Sequence, residues 1–398
     1  MHKTGYASKE GDNMGNGQSI RTAQSCQTDA RLAAREIHAA LNGEDISLVL
    51  FFCSSKYDLD ALGDEMRRLF GKTPVVGCTT AGEIGPAGYL ERSLSGVALP
   101  AGVCTAVSGL LDHLQDFHPS RGQALADDLL TRLAEAAPAA DASNSFALVL
   151  IDGLSVREEP LARTLQVALG DIPITGGSAG DDLEFNRTWV YFDGAFHTDS
   201  AVVILATTSF PFKVFKTQHF VSGQERLVVT SADAERRIVR EINGLPATEE
   251  YARAIGIPVA ELNAMHFAAA PVVVVMDGTD YIRAIQKANP DGSLTFYCAI
   301  EEGLVLRVAQ RNDLLSNLRS TFDAIRDEIG APQFVLGCDC ILRNIEATDS
   351  GLKAEVAEML RANHTIGFST YGEQFCGVHV SQTFTGLAIG SGRKNDDE

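Results

Sequence analysis

The sequence predicts a mixed α/β fold of the α+β kind, in which repeated β-α-β-turn-β units form mixed and antiparallel sheets covered by helices. Apolar, β-branched runs alternate with amphipathic helical runs, and a glycine-rich turn follows each such pair. This order occurs three times along the chain. At 398 residues the chain is long enough to build two or three domains with well-buried cores.

Each unit combines an apolar strand, a helix and a second strand that ends in glycine. A helix precedes the first unit, because Asp29 is a good cap and Gly43 a good stop. The three strand–helix pairs are predicted at residues 47–53 and 59–70, 145–151 and 160–169, and 334–338 and 352–362.

The region between the second and third units follows a different pattern. Before it, the second unit ends in a predicted hairpin of residues 189–192 and 200–206 around Asp193–Gly194. A helix over 231–243 precedes a domain boundary at Gly244. Further strands are predicted at 270–276, 280–284, 294–300 and 305–308, followed by a helix over 315–329. The predicted organisation is a flexible polar tail (1–28) and two domains (29–243 and 244–398).

Composition excludes several classes of protein. The formal net charge of −19 leaves no excess of Lys and Arg to neutralise phosphates, which argues against nucleic-acid binding and against docking on anionic membranes. No apolar run has the length of a membrane span, and the N-terminus lacks the apolar stretch of a signal peptide. Eight cysteines spread over the chain do not form a disulfide framework. We therefore expect a cytoplasmic protein with reduced thiols.

Three related turns are the strongest candidates for a binding site. They read Gly-Cys-Thr-Thr-Ala-Gly-Glu (77–83), Gly-Gly-Ser-Ala-Gly-Asp (176–181) and Gly-Phe-Ser-Thr-Tyr-Gly-Glu (367–373). Such turns present backbone amides at a sheet edge, and we expect them to gather around one enclosed cavity. The terminal carboxylates would accept hydrogen bonds from a ligand or, alternatively, cap the turn amides. The candidate ligand-binding residues are Gly77, Thr79, Glu83, Ser178, Asp181, Ser369, Tyr371 and Glu373.

Taken in order, these motifs resemble those of FIST proteins, and the resemblance covers about residues 29–390 as FIST N and FIST C domains. It implies a sensory module that binds small molecules, such as amino acids, and reports to a signalling output. The bacterial NosP subgroup is similar in length. Its members bind haem, sense nitric oxide and act on a partner histidine kinase or cyclic-diguanylate enzyme. This chain carries no kinase or cyclase signature, so its output would be supplied in trans.

The NosP resemblance implies haem as cofactor, held by a neutral histidine nitrogen with the opposite face open to the gas. His379 is the preferred ligand to the haem iron because strand alternation places it beside the last turn; His266 and His364 follow. The haem propionates would need arginines, and Arg283, Arg307 and Arg343 lie on or next to predicted strands of the C-terminal half. The alternatives are buried structural histidines and ion-paired arginines.

Other chemistries are weaker. Cys338, Cys340 and Cys376 could serve a metal or redox site, or act as small buried hydrophobic residues. The sequence contains no Gly-x-Ser-x-Gly elbow, phosphate-binding loop or His-Glu-x-x-His helix, so we expect no enzyme. The main alternative to haem is a FIST sensor for a small metabolite such as an amino acid. An interaction scaffold without ligand, and a homo-oligomeric state, stay open.

Overall fold

The structure is a computed structural model that describes residues 6–8, 19–276 and 278–392. It confirms the mixed α/β class. The helices are α1 (Ala30–Leu41), α2 (Leu59–Phe70), α3 (Pro119–Ala136), α4 (Glu158–Leu169), α5 (Ala247–Ile255), α6 (Ala264–Ala269), α7 (Leu314–Ile329), α8 (Ile341–Asp349) and α9 (Lys353–Ala362), with short 3₁₀ helices at Leu114–Asp116 and Val259–Glu261.

Within the described ranges, the strands form four sheets. They are β1 (Tyr6–Ser8), β2 (Arg21–Ser25), β3 (Ile46–Ser54), β4 (Val75–Thr80), β5 (Glu83–Gly85), β6 (Gly88–Leu90), β7 (Leu94–Pro100), β8 (Cys104–Leu111), β9 (Ser145–Ile151), β10 (Ile174–Ser178), β11 (Val190–Phe192), β12 (Ala195–His197), β13 (Ala201–Thr208), β14 (Phe212–Thr217), β15 (Phe220–Asp233), β16 (Ile238–Ile242), β17 (Leu245–Pro246), β18 (Val272–Met276), β19 (Thr279–Arg283), β20 (Ile285–Ala288), β21 (Leu294–Phe296), β22 (Val305–Arg311), β23 (Pro332–Cys340), β24 (Thr365–Thr370), β25 (Glu373–Phe375), β26 (Val378–Val380) and β27 (Phe384–Gly390).

Three sheets are built from one repeated unit, which confirms the predicted repeat. Each repeat has an outer strand, a central strand, a crossover helix, a strand parallel to the central one, a hairpin and an antiparallel return strand. A parallel pair needs such a crossover connection. The first repeat spans residues 21–100 and the second 104–208; the third combines 212–217 with 314–390.

The repeats interlock by exchanging their hairpins. The β5–β6 hairpin of the first repeat pairs with β24 of the third, and β25–β26 of the third pairs with β10 of the second. The β11–β12 hairpin of the second repeat closes the cycle by pairing with β4 of the first. The turns that precede the exchanged hairpins are therefore brought towards one centre.

An inserted sheet, residues 220–311, interrupts the third repeat after β14. The predicted helix over 231–243 is wrong: β15 and β16 lie there, joined through Arg237 with φ +57°. Its β-branched residues Ile238 and Val239 pair with β21, so strand pairing overrides a spacing that also suited a helix. The predicted domain boundary at residues 243–244 lies between the paired strands β16 and β17 of this sheet, and it stays a prediction.

Two further predictions need correction. Asp193–Gly194 does form a hairpin turn, but Val190–Phe192 pairs with Ala195–His197, while β13 lies between β8 and β9. Residues 21–25 of the predicted tail form β2, which pairs with β7 and with residues 6–8. The rest of that predicted tail before residue 19 lies largely outside the described residues.

The central core lies where the three repeats face one another. Phe52 of β3 stacks on Phe368 of β24 with ring centroids 4.6 Å apart. Leu150 and Leu336 come from the other central strands to the same cluster. Strands covered on both faces read as continuous apolar runs, which is why the sequence identified them. Within the described residues, none of the helices has the length and apolarity that crossing a membrane requires.

Candidate functional site

The three signature turns meet at the centre of the repeats. The amide of Ala81 donates to the carbonyl of Ser369 (3.0 Å), and the amide of Ser369 donates to Gly82 (2.7 Å). The amide of Ser178 donates to the carbonyl of Gly372 (2.8 Å), linking the second turn to the third. The amide of Gly180 completes the ring by donating to Thr79 (2.9 Å). The turns therefore gather as the sequence predicted.

The prediction of a single enclosed cavity between the turns is wrong, because the turns pack directly against one another in that space. A Cβ atom on Gly180 would lie 2.9 Å from the amide nitrogen of Ala81, and one on Gly177 would lie 2.9 Å from the Phe368 ring. Gly77 has a similar role within its repeat, since a Cβ there would lie 2.5 Å from the carbonyl oxygen of Phe51. These glycines permit close backbone packing.

The carboxyl groups of Glu83 and Glu373 hold the return strands of their own repeats. Glu83 accepts hydrogen bonds from the amide (2.9 Å) and hydroxyl (2.7 Å) of Ser93, ten residues later. Glu373 accepts the equivalent pair from Thr383, at 3.1 and 2.6 Å. Burial raises the pKa of Glu83 to about 8 and that of Glu373 well above its ordinary value.

Asp181, in the second repeat, does something different. It accepts hydrogen bonds from the amides of Phe185 (2.9 Å), Asn186 (2.7 Å) and Arg187 (2.9 Å). The hydroxyl of Tyr371, from the third turn, also donates to it. Asp181 therefore orders the segment that follows its turn, residues 182–187, which we name the Asp181 loop.

The Asp181 loop has a strained backbone. Asp182, Leu183 and Phe185 have φ values of +59°, +68° and +52°, a region that non-glycine residues seldom occupy. Such strain persists only where surrounding contacts impose it, and it is concentrated at functional sites. Tyr371 adds two contacts: its hydroxyl accepts from the amide of Leu183 (2.9 Å), and its ring stacks on Phe185 at 4.6 Å.

The remaining predicted residues lie inside the packed centre. Thr79 and Ser178 are buried on β4 and β10, and Ser369 is buried on β24. The hydroxyl of Thr79 accepts from the amide of Trp189 (3.1 Å), and the hydroxyl of Thr370 accepts from the amide of Ser178 (3.1 Å). These side chains position the turns rather than face a cleft.

Clefts open beside the turns, at positions related by the threefold repeat. At each such position, the end of a central strand lies beside a signature turn of another repeat. It is the turn whose hairpin pairs with the sheet of that central strand. At the end of β9, a cleft of about 420 Å³ includes Gly153 and Tyr371; we name it the Tyr297 cleft. At the end of β23, one of about 250 Å³ includes Ile341 and Ala81; we name it the Asn344 cleft. Ligands of α/β sheets commonly bind beyond strand carboxyl ends.

The Tyr297 cleft lies between the second repeat and the inserted sheet. It offers charges of both signs and the aromatic side chains of Phe185, Phe296, Tyr297 and Tyr371, and its volume lies within the usual range for ligand pockets. The lining side chains from the repeats include Gln115, Leu154, Arg157, Glu158, Phe185 and Tyr371, and those from the inserted sheet include Glu235, Arg236, Arg237, Gln286, Thr295 and Tyr297. A cleft of about 460 Å³ beside α2 contains none of the signature residues.

Arg237 links the inserted sheet to the second repeat and lines the Tyr297 cleft. Its guanidinium donates to Glu158 and Glu159, both at 2.6 Å, and to the carbonyl of Tyr297 at 2.6 Å. The amide of Ala299 also donates to Glu159, at 2.7 Å. Arg237 and Glu158 are each less than one-tenth exposed. A buried pair of this kind is sensitive to loss of one partner.

His379, the preferred haem ligand, lies next to the third turn as predicted. It is 2% exposed, its Nδ1 lies 3.0 Å from the amide nitrogen of Gln374, and its Nε2 has no hydrogen-bond partner among the described residues. Burial lowers the pKa of His379, which favours the neutral imidazole. A Cβ atom on Gly372 would lie 2.3 Å from Cε1, so the ring packs directly on this turn.

The other predicted haem residues are dispersed. Arg283 is near His379, since its Nη1 lies 3.4 Å from the His379 carbonyl. Arg343 is not available for a propionate, because it is buried and bonded to Asp339 (2.8 Å) and His219 (3.0 Å). His364 is exposed beyond α9, and His266 is half-buried on α6. Arg307 is half-buried and donates to the carbonyl of Gly223 at 3.0 Å.

The cysteines behave as small hydrophobic residues where they are buried. Cys338 and Cys340 are each 1% exposed and free, whereas Cys376 is exposed. Burial raises the pKa of both Cys338 and Cys340 well above the ordinary value, which opposes thiolate chemistry. Among the residues that the structure describes, no group of three or more His, Cys, Asp or Glu side chains could hold a metal ion.

Sequence reasoning missed most of the residues that line the clefts. Arg236 and Arg237 were assigned to a helix, and Asn344 to no element. One signal was present: Asp152–Gly153 and Ile341 directly follow buried central strands, where ligand-binding side chains gather. The residues of the glycine turns, in contrast, mainly hold the turns and the return strands in place.

Models of two protein families match the chain. The FIST N domain matches residues 47–245, and the FIST C domain matches residues 247–376. The chain belongs to the FIST family. FIST domains are sensor domains of signal transduction that bind small ligands and signal to partners.

Individual relatives are distant. An uncharacterised protein of Methanocaldococcus jannaschii, MJ1623, is 23% identical over 381 residues, covering 86% of this chain and 73% of that protein. A cyanuric acid hydrolase structure has a TM-score of 0.36 at 10% identity, covering 93% of this chain and 99% of the hydrolase. A chorismatase structure has a TM-score of 0.32 at 8% identity, covering 97% and 98%. Likenesses this weak carry no argument about activity.

Proposed function

We propose that this FIST protein senses a small zwitterion of the amino-acid class in the Tyr297 cleft. The observation that carries the proposal is the composition and place of this cleft: cationic, anionic and aromatic side chains converge where the inserted sheet meets the repeats. The proposal assigns binding and signalling rather than catalysis.

Recognition would use the two signs of charge in the cleft. Arg157 and Arg236 would bind the carboxylate, since guanidinium groups suit planar anions. Glu235 would accept hydrogen bonds from the ammonium group. The rings of Phe185 and Tyr297, with centroids 6.3 Å apart, would contact an apolar or aromatic side chain of the ligand.

Signalling would follow from the position of the ligand on a junction. A ligand that contacts both the inserted sheet and the second repeat would bind one arrangement of these two parts more tightly than another. Binding would therefore shift the population towards the arrangement with the higher affinity. Arg237 lies at this junction. A coupling of about 1–3 kcal/mol would change the affinity for a partner several-fold to a hundred-fold. The proposed partner is a cytoplasmic histidine kinase or cyclic-diguanylate enzyme acting in trans.

Isothermal titration of the full chain with a panel of amino acids tests the proposal. We expect saturable binding of an aromatic or aliphatic member, and Arg236→Ala should weaken it about tenfold or more by removing a charged hydrogen bond. Arg319→Ala, a change at an exposed guanidinium on α7, is the matched control and should bind normally. Equal affinities of the Arg236 and Arg319 variants would refute the site.

The second candidate function is the haem-dependent nitric oxide sensor that the sequence suggested. It is favoured by one observation, the buried Nε2 of His379, which has no hydrogen-bond partner in the part of the chain that the structure describes. The geometry does not fit haem as it stands, because the His379 ring packs on Gly372 and lines neither the Tyr297 nor the Asn344 cleft. Haem binding at His379 would require the third turn to move.

Absorption spectra after reconstitution with haem separate the two candidates. A Soret band that shifts with nitric oxide, and that His379→Ala abolishes, would support the haem sensor. His364→Ala is the matched control, because this histidine is exposed. A protein that stays colourless but binds an amino acid would leave the metabolite sensor as the function.

A further inference from the structure

The three positions beside the turns are not equally filled. At the end of β3, the hydroxyls of Ser54 and Ser55 donate to Asp182, at 2.9 and 3.4 Å, so the protein's own carboxylate occupies that position. The equivalent positions at the ends of β9 and β23 are clefts. The Tyr297 cleft is accounted for by the proposed sensor function, whereas the Asn344 cleft is not.

The Asn344 cleft has an excess of negative charge. Its carboxyl groups come from Glu91, Asp182 and Asp349, and among the described residues that line it Lys353 is the one cationic side chain. The ammonium of Lys353 lies 2.8 Å from Glu91 and neutralises that carboxylate. Among the described lining residues no cation is paired with Asp349, whereas Asp182 accepts hydrogen bonds from Ser54 and Ser55 and lies near Lys56 and Arg92 outside the cleft.

Asn344 supplies an independent observation. Its side chain lines the cleft and is 6% exposed, yet its Oδ1 has no hydrogen-bond partner among the described residues. A buried polar atom left without a partner carries a desolvation penalty that a bound ligand can remove. An amide oxygen accepts hydrogen bonds, and so it is suited to a donor such as an ammonium group.

The rest of the lining limits the ligand to a small organic molecule. Ile341, Ile345 and Leu183 give the cleft an apolar wall, which a hydrated metal ion would not use. The volume of about 250 Å³ suits a compound of few heavy atoms. Among the described residues, no cluster here or elsewhere has the ligands for a metal ion.

We propose that the Asn344 cleft is a second ligand site, separate from the Tyr297 cleft, that binds a small primary amine on a short aliphatic chain. The ammonium group donates to Asn344 Oδ1 and pairs with Asp182 or Asp349. The methylene chain lies against Ile341 and Ile345.

Isothermal titration of the full chain with 1,4-diaminobutane tests the inference, with 1,4-butanediol as the uncharged analogue. We expect one saturable site for the diamine and none for the diol. Asn344→Leu should weaken diamine binding at least about tenfold, because it removes the acceptor. Asp349→Asn, a change at an exposed residue that leaves the fold intact, should weaken it several-fold. Asp327→Asn, at an exposed carboxylate on α7, is the matched control and should bind as the wild type does.

Several results would overturn the inference. They are absence of saturable diamine binding, equal binding of diol and diamine, full affinity in both the Asn344 and Asp349 variants, or displacement of the diamine by an equal concentration of Mg²⁺. The last result would indicate a general attraction of cations to an acidic surface. Arg236→Ala should leave diamine binding unchanged, so failure of this site and failure of the proposed sensor function are distinguishable.

Discussion

The first and third repeats use the carboxyl groups of their signature turns in one way, and the second repeat uses its carboxyl group in another. Glu83 and Glu373 each bind the residue ten positions later, Ser93 or Thr383, and so fix a return strand. Asp181 instead binds three amides of the loop that follows it. The shorter side chain of Asp181 therefore binds the Asp181 loop, and this loop lines both the Tyr297 cleft and the Asn344 cleft.

This difference distinguishes residues that hold the strands together from residues that line the candidate ligand sites. The Asp181 loop contributes Asp182 and Leu183 to the Asn344 cleft and Phe185 to the Tyr297 cleft. Glu83 and Glu373 contribute to neither. The repeat whose signature departs from the other two is therefore the one that shapes both candidate ligand sites.

The largest expected effect concerns the pH dependence of stability at Glu83. The folded protein keeps the Glu83 proton up to about pH 8, whereas the unfolded chain releases it near 4.5. The stabilisation is therefore complete below pH 4.5 and is lost as the pH rises through about 8. Glu83→Gln mimics the neutral acid, so relative to it the wild type should lose on the order of 4 kcal/mol between pH 5 and pH 9. Urea denaturation at both pH values measures this.

The controls for that experiment come from the same comparison. Glu373→Gln should behave in the same direction, because burial also raises its pKa. Glu355→Gln, at an exposed residue of α9, should leave the pH dependence unchanged. If the wild type and Glu83→Gln lost stability in parallel, the Glu83 carboxyl would be ionised in the folded protein.

A change at Asp181 should act on the clefts as well as on stability. Asp181→Asn replaces one acceptor oxygen by a donor that faces backbone amides, and this should cost about 2 kcal/mol. Hydrogen exchange should accelerate within residues 182–187, and ligand affinity should fall in both clefts. Asp171→Asn, at an exposed carboxylate, is the control. Normal affinities with accelerated exchange would show that the loop does not shape the clefts.

Much of the framework could be predicted from the sequence, because its signals are local. Helix α2 (Leu59–Phe70) and strand β9 (Ser145–Ile151) have the predicted bounds, since caps and continuous apolar runs define them. The convergence of the three turns was also foreseen. The exchange of hairpins was not, because it pairs strands that are distant in sequence and leaves no local pattern.

The candidate sites could be predicted only in part, for a related reason. Motif similarity selects residues that the fold needs three times, such as Glu83 and Glu373, and these turned out to hold strands. Cleft residues such as Tyr297 and Asn344 belong to the inserted sheet and to α8, which are not repeated. Their proximity to the turns arises from tertiary packing, which spacing along the chain does not encode.

A smaller effect is expected at Tyr371, which links the third turn to the Asp181 loop. Tyr371→Phe removes the hydrogen bonds to Asp181 and from the Leu183 amide but keeps the ring that stacks on Phe185. It should cost about 1 kcal/mol. Tyr371→Leu, which also removes the stacking, should cost more by about 0.5–1.5 kcal/mol. Equal losses in denaturation experiments would mean that the stacked ring contributes nothing.

The smallest effect is expected at the filled position at the end of β3, and it tests why that position differs from the clefts. Ser54→Ala removes the 2.9 Å hydrogen bond to Asp182 and should cost about 0.5–1 kcal/mol. Ser55→Ala, which removes the longer 3.4 Å contact, should cost less. Because Asp182 also lines the Asn344 cleft, releasing it from Ser54 should tighten diamine binding a few-fold in titrations. Weaker binding would instead mean that Ser54 orients Asp182 for the amine. The position at the end of β3 would then contribute to binding in the Asn344 cleft.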